Sequence, residues 1–143
     1  GCIIGNLLFA YIGSRLRGEN PKFTQWILTS IEDILQVYAR SFSNLVKNVT
    51  KDPILSTQGY VDIFVRDVLL NGLATGGVEL LRRTISHAKV PDITSLPNED
   101  MKIRGQKAAI DLGKDLLLKC EEYLSKGGYL VEETLNRTFS AFC

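Results

Sequence analysis

The residues of this chain that could do chemistry are few and stand far apart. His87 is the only histidine, and no cysteine lies at a spacing from it that a zinc or haem site would need. Because it follows an apolar stretch with helical periodicity, His87 is better interpreted as a cap at the carboxyl end of that helix. No G-x-S-x-G motif marks a nucleophile for it to activate. We therefore predict neither a metal centre nor a nucleophilic active site.

Two further patterns resemble catalytic motifs only in part. The glycine-rich segment 72–77 could suggest a phosphate-binding loop, but it lacks the Walker lysine and no strand is predicted before it. The acidic pairs Glu32-Asp33 and Glu121-Glu122 are adjacent in predicted helices, which favours solvated faces over paired catalytic acids. The sequence thus predicts that this chain is not an enzyme and uses no cofactor.

Composition narrows the class of protein. A chain of 143 residues, 45% hydrophobic and 23% charged, is expected to fold as a single domain spanning residues 1–143. The formal net charge of +1 argues against a nucleic-acid partner, which would require a basic surface. Three cysteines are too few for a disulfide framework, and an odd number fits a reducing compartment or at most one disulfide with a leftover thiol.

The spacing of apolar residues predicts an all-α fold. A first helix is predicted over residues 4–16, ending at Gly18. The second helix has Thr24 as its predicted cap and Asp52-Pro53 as its end, since proline disfavours helical geometry in the residue before it. Its apolar residues recur at three- and four-residue intervals over six turns: Ile27, Ile31, Ile34, Tyr38, Phe42, Leu45 and Val49.

The stretch from Tyr60 to His87 is the most continuously apolar part of the chain. Six charged residues interrupt it, which argues against a membrane span. Asn71-Gly72 is predicted to divide it into two helices in series. A loop over 88–97, a long helix capped by Asn98 and a final helix after 127–128 complete the prediction. We expect a bundle of seven or eight helices around the central hydrophobic stretch.

Three segments of the sequence are similar to motifs of the Bcl-2 (B-cell lymphoma 2) family of apoptosis regulators. Residues 37–45 (VYARSFSNL) resemble the family segment Arg-Tyr-Arg-Arg-Ala-Phe-Ser-Asp-Leu. Residues 67–77 (DVLLNGLATGG) follow at the distance of its first homology motif, and residues 127–129 (GGY) resemble the Gly-Gly-Trp of its second. By this resemblance the chain is identified as a divergent member, and such divergence in a short chain is typical of viral members.

The resemblance implies an anti-apoptotic function and a Bcl-2-like bundle. A hydrophobic groove would sequester the amphipathic death-motif helices of Bim-, Bak- or Bax-like proteins and so block mitochondrial apoptosis of the host cell. The expected location is the cytoplasm or the mitochondrial outer membrane surface, and a homodimer could cover the free groove. The residues that the resemblance assigns to the groove are Ile34, Tyr38, Phe42, Leu45, Phe64, Val68, Gly76, Gly77 and Leu80.

The sequence departs from the family at one functional position and leaves alternatives open. Residues 74–77 (ATGG) stand where the family has Asn-Trp-Gly-Arg, so the arginine that pairs with the ligand aspartate is missing. Arg82 and Arg83 are candidate replacements, and a narrow range of partners is expected. A pro-apoptotic pore-forming member of the same fold and a purely structural or secreted helical bundle are the alternatives. Helical periodicity alone also cannot separate groove residues from core residues.

Overall fold

The structure, a computed structural model, describes residues 1–86 and 90–142. Over those ranges it contains seven α helices and no strand, which confirms the all-α bundle. His87 and its predicted capping role lie outside the described residues. The helices are α1 (Cys2–Arg17), α2 (Pro21–Val49), α3 (Gln58–Ile85), α4 (Pro91–Thr94), α5 (Glu99–Leu118), α6 (Cys120–Lys126) and α7 (Gly128–Ser140).

Local signals fix several helix ends. Helix α1 ends as predicted at Gly18, which has a left-handed backbone conformation with φ of 68°. The predicted cap at Thr24 is wrong, because α2 begins three residues earlier at Pro21. The side chain of Asn20 accepts a hydrogen bond from the Lys22 N–H there. Asn98 is confirmed as the cap of α5, since its side chain accepts from the Met101 N–H at 2.9 Å.

The prediction that α3 is two helices is wrong. Gly72 lies inside one continuous helix of 28 residues. Glycine costs a helix interior about 1 kcal/mol, but α1, α2, α5 and α6 all pack against α3, and such packing outweighs local propensity. The long helix after Asn98, in contrast, divides at Lys119 into α5 and α6. Within the predicted loop 88–97, residues 91–94 form the single turn α4.

The core lies where α1, α3, α5 and α7 meet. Helix α2 contributes to it through its first half, with Ile27, Leu28 and Ile31 buried and Leu35 packed against them at the edge. No helix among the described residues has the length and apolar character needed to cross a membrane. The largest completely buried apolar side chains of the core are Leu8, Phe9, Tyr11, Ile12, Ile27, Leu80, Leu112, Leu116 and Leu135.

Candidate functional site

The most exposed apolar surface lies on a helical hairpin at one side of the bundle. We call this the outer hairpin: residues 32–49 of α2, the connecting loop 50–57 and residues 58–70 of α3. It carries more than half of the exposed large apolar side chains that the structure describes. They are Ile34, Val37, Tyr38, Leu45, Val49, Ile54, Leu55, Tyr60, Ile63 and Phe64.

A row of aromatic rings joins the two helices of the outer hairpin. The ring centroids of Phe42 and Phe64 lie 5.3 Å apart across the hairpin. Tyr38 stacks on Phe42 at 5.9 Å, and Tyr60 stacks on Phe64 at 6.3 Å. Aromatic pairs at such distances contribute about 0.5–1.5 kcal/mol beyond the area they bury. The hairpin therefore has a packed interior of its own, which keeps its apolar face in a defined shape.

An apolar cavity opens at the far end of the outer hairpin. Its volume is about 480 Å³, and none of the residues that line it is charged. Unpaired charges are costly to bury in such surroundings, so the cavity suits aliphatic or aromatic groups. Its lining consists of Phe42, Leu45, Val46, Val49, Thr50, Leu55, Tyr60, Val61 and Phe64.

The second half of α3 lies in the opposite environment, at a close crossing of three helices. A Cβ atom added to Gly77 would lie 2.7 Å from the carbonyl oxygen of Gly113 on α5, and one added to Gly113 would lie 2.9 Å from the Gly77 carbonyl oxygen. On α1, a Cβ atom at Gly5 would lie 3.2 Å from the carbonyl oxygen of Gly76. We call these four glycines the glycine crossing. Side chains are excluded there because the helix backbones nearly touch.

The structure does not bring the nine predicted groove residues together. Ile34, Tyr38, Phe42, Leu45, Phe64 and Val68 lie on the outer hairpin, in α2 and the first half of α3. Gly76 and Gly77 belong to the glycine crossing, and the side chain of Leu80 has no exposed surface at all. These three residues cannot line a groove. At Gly77 the absence of an arginine side chain is a requirement of helix packing and not the loss of a ligand contact.

Arg82 and Arg83 are engaged with a carboxylate of their own helix. Arg82 Nη2 lies 2.8 Å from Glu79 Oε2, and Arg83 Nε lies 3.7 Å from Glu79 Oε1. Arg83 also donates a hydrogen bond to the Asn6 side chain and lies over the ring of Phe9 at 5.6 Å. Arg82 is thus paired within α3, and Arg83 also ties α3 to α1, so neither guanidinium group is held ready for the aspartate of a ligand.

A polar network that is buried at Tyr123 and Thr134 and exposed at Arg137 joins α5, α6 and α7. Asp115 Oδ2 accepts hydrogen bonds from Thr134 Oγ1 and Arg137 Nη2, each at 2.9 Å. Burial acts to raise the pKa of Asp115, but these hydrogen bonds and the charges of Lys119 and Arg137 outweigh it and hold the pKa below its ordinary value. Burial also raises the pKa of Tyr123 to about 12, and its hydroxyl lies 2.9 Å from Thr134 Oγ1. The network is internally satisfied and fixes α7 against α5.

Sequence reasoning missed the glycine crossing, although a signal for it exists. Small residues recur at four-residue spacing at Gly1 and Gly5 and at Gly105, Ala109 and Gly113, and α3 has the adjacent pair Gly76-Gly77. Such spacing places small residues on one face of a helix, where another backbone can approach closely. The Asp115 network has no comparable signal, because its members lie up to 22 residues apart in the sequence. Among the described residues, no group of three or more histidine, cysteine or acidic side chains could hold a metal ion.

Comparison with known proteins finds relatives that are named as kinases. It is 34% identical over 131 residues to a methylthioribose kinase of Yersinia pseudotuberculosis, a match that takes in 90% of this chain and 32% of the relative. A methylthioribose kinase of Cronobacter sakazakii is 32% identical over 121 residues, and one of Pectobacterium carotovorum 34% identical over 123 residues. Each of these two matches takes in 82% of this chain and 30% of the relative. The chain thus spans about a third of the length of the curated relatives it matches.

No family model matches the sequence, and no solved structure matches it. The relatives correct the Bcl-2 identification, since they are named as kinases and not as apoptosis regulators. The predicted anti-apoptotic function, the death-motif partners with their homodimer alternative, and the prediction of a non-enzyme are corrected with it. The physical reason is that amphipathic helices and a glycine-rich helical segment recur in many bundles, so short matches to them are not specific. The predicted cellular location stays a prediction.

Proposed function

We propose that this chain forms a helical part of an enzyme that phosphorylates methylthioribose. The observation that carries the proposal is the 34% identity over 131 residues to the Yersinia pseudotuberculosis enzyme, which extends over nearly all of this chain. Relatives of the same name in Cronobacter and Pectobacterium support it with 32% and 34% identity. Identity sustained over 90% of the chain is far more specific than the three short motifs that suggested an apoptosis regulator.

The proposed role of this chain within the enzyme is to support the catalytic machinery. Phosphoryl transfer depends on positioned phosphates, on metal ions that neutralise developing charge, and on a group that orients the attacking oxygen. We assign none of these tasks to a residue described here. The features that the structure does provide are the rigid glycine crossing, the satisfied Asp115 network and the apolar outer hairpin. They suit a helical unit that holds other parts of an enzyme in place.

A chimeric enzyme tests the proposal. The matched region of the Yersinia pseudotuberculosis methylthioribose kinase is replaced by the matching part of this chain, and phosphorylation of methylthioribose is measured. If the two segments do the same work, kcat/KM should stay within about tenfold of the parent enzyme, which is about 1.4 kcal/mol of transition-state stabilisation.

The matched control carries Gly113→Leu in the same chimera. The new side chain would enter the space taken by the Gly77 carbonyl oxygen, so this chimera should lose its fold and its activity together. A chimera that folds with the helical content of the parent enzyme but does not phosphorylate methylthioribose would contradict the proposal.

A further inference from the structure

We propose that the outer hairpin is the surface on which the remaining polypeptide of the kinase packs. The inference rests on the proposed function. It starts from the exposure of the hairpin: the side chains of Leu45, Val49, Ile54 and Ile63 are 57%, 68%, 72% and 65% exposed. Leu45 and Val49 line one apolar cavity together with Tyr60 and Phe64. An exposed apolar patch of this kind marks a place where another protein surface is bound.

The apolar face of the outer hairpin has a defined shape without a partner bound to it. Val61 and Val65 are 1% and 7% exposed, yet they belong to the interior of the hairpin and not to the main core. The stacked rings of Phe42 and Phe64 fix the two helices relative to one another. A partner would therefore meet a surface of fixed shape and would not have to order it first, which favours binding.

The chemistry of the cavity defines the occupant. Its lining contains no charged residue, and only Thr50 and Tyr60 offer hydroxyl groups. A charged segment would lose its hydration there without gaining an ionic partner. The segment that fills the cavity must therefore present aliphatic or aromatic side chains, with at most one or two hydrogen-bonding groups.

The relatives indicate where such a segment is found. The Yersinia match takes in 90% of this chain, so it includes the whole outer hairpin, but only 32% of the relative's length. About two thirds of that enzyme consequently lies outside the matched region. In one kinase polypeptide this remainder is covalently linked to the hairpin and is present at a high effective concentration. It is therefore the occupant to which we commit.

Lysine substitutions at the lining of the cavity test the inference. Leu45→Lys and Val49→Lys are made in this chain alone and in the chimeric kinase described above. Both side chains are exposed here, so in the isolated chain we expect the melting temperature to change by no more than about 1 °C. In the chimera each should lower the melting temperature by about 3 °C or more, because the new ammonium group would be buried without a partner. Asn48→Lys is the matched control: it adds the same charge at an exposed neighbouring position that does not line the cavity, and it should have no effect in either protein.

The outcomes separate this inference from the proposed function. If the chimera is active and the two lining variants behave like Asn48→Lys, the inference is overturned and the proposed function stands. If the chimera does not fold or is inactive, the proposed function fails and the inference fails with it. If the chimera sediments as a dimer that Leu45→Lys dissociates, a second copy occupies the face, and the inference is likewise overturned.

Discussion

The two halves of α3 show the same helical periodicity in opposite surroundings. The second half passes through the glycine crossing. There α1 and α5 approach α3 so closely that a methyl group added to a glycine would contact a backbone carbonyl oxygen. The first half pairs with α2 through a row of aromatic rings and leaves its other apolar side chains exposed. An apolar stripe therefore indicates that a helix has a face to bury, but it does not indicate which neighbour buries it. The size of the residues on the stripe carries that information, since only glycines permit backbone contact.

The largest expected contrast comes from truncating one leucine in the second half of α3 and one leucine of α2 on the outer hairpin. Leu80→Ala removes a side chain with no exposed surface and should lower the free energy of unfolding by about 3–4 kcal/mol. Leu45→Ala removes a side chain that is 57% exposed and should change it by no more than about 0.5 kcal/mol. Urea denaturation of both variants measures the difference. Equal losses would mean that the outer hairpin is packed as tightly as the core.

A pair of glycine substitutions in α3 gives the next largest effect. Gly77→Ala places a methyl group 2.7 Å from the Gly113 carbonyl oxygen and should destabilise the protein by about 2–3 kcal/mol. Gly72→Ala lies in the same helix with no atom within 4 Å of the added group. It should stabilise the protein by about 0.5–1 kcal/mol, because alanine is the better helix former. Shifts of opposite sign in the urea midpoints of the two variants would support the close approach at the glycine crossing. An unchanged midpoint for Gly77→Ala would show that the helices are farther apart.

A smaller effect, dependent on pH, is expected from the Asp115 network. Asp115→Asn should cost about 1–2 kcal/mol at pH 7, since hydrogen bonds to an ionised carboxylate are the stronger ones. The folded protein holds the pKa of Asp115 below its ordinary value of 3.8. The stabilisation is therefore fully present above about pH 4 and is lost as the pH falls through the lowered pKa. Urea midpoints of wild type and variant should converge in acid. A gap that stays constant down to pH 2 would show that Asp115 acts through packing and not through its charge.

Parts of this fold could be predicted from sequence because their causes are local. The 3-4 spacing of α2, the Asn98 cap and the stop at Gly18 each depend on neighbouring residues, and the structure confirms them. The continuity of α3 at Gly72 could not be predicted, because packing from four other helices decides it. In the candidate site, the burial of Leu80 and Phe64 could not be predicted from the sequence either. Both are apolar residues of one helix, yet one is fully buried and the other is 40% exposed.

Hydrogen exchange at the outer hairpin tests most directly whether the remainder of the kinase covers this surface. Amide exchange is measured for residues 45–49 and 60–64, once in the isolated chain and once in the chimeric kinase. The glycine crossing, Gly76 and Gly77 in particular, is already enclosed and serves as the internal reference. If the remaining polypeptide covers the hairpin, its amides should exchange at least about tenfold more slowly in the chimera, whereas those of the crossing change little. Equal exchange rates for the hairpin in both proteins would contradict the account.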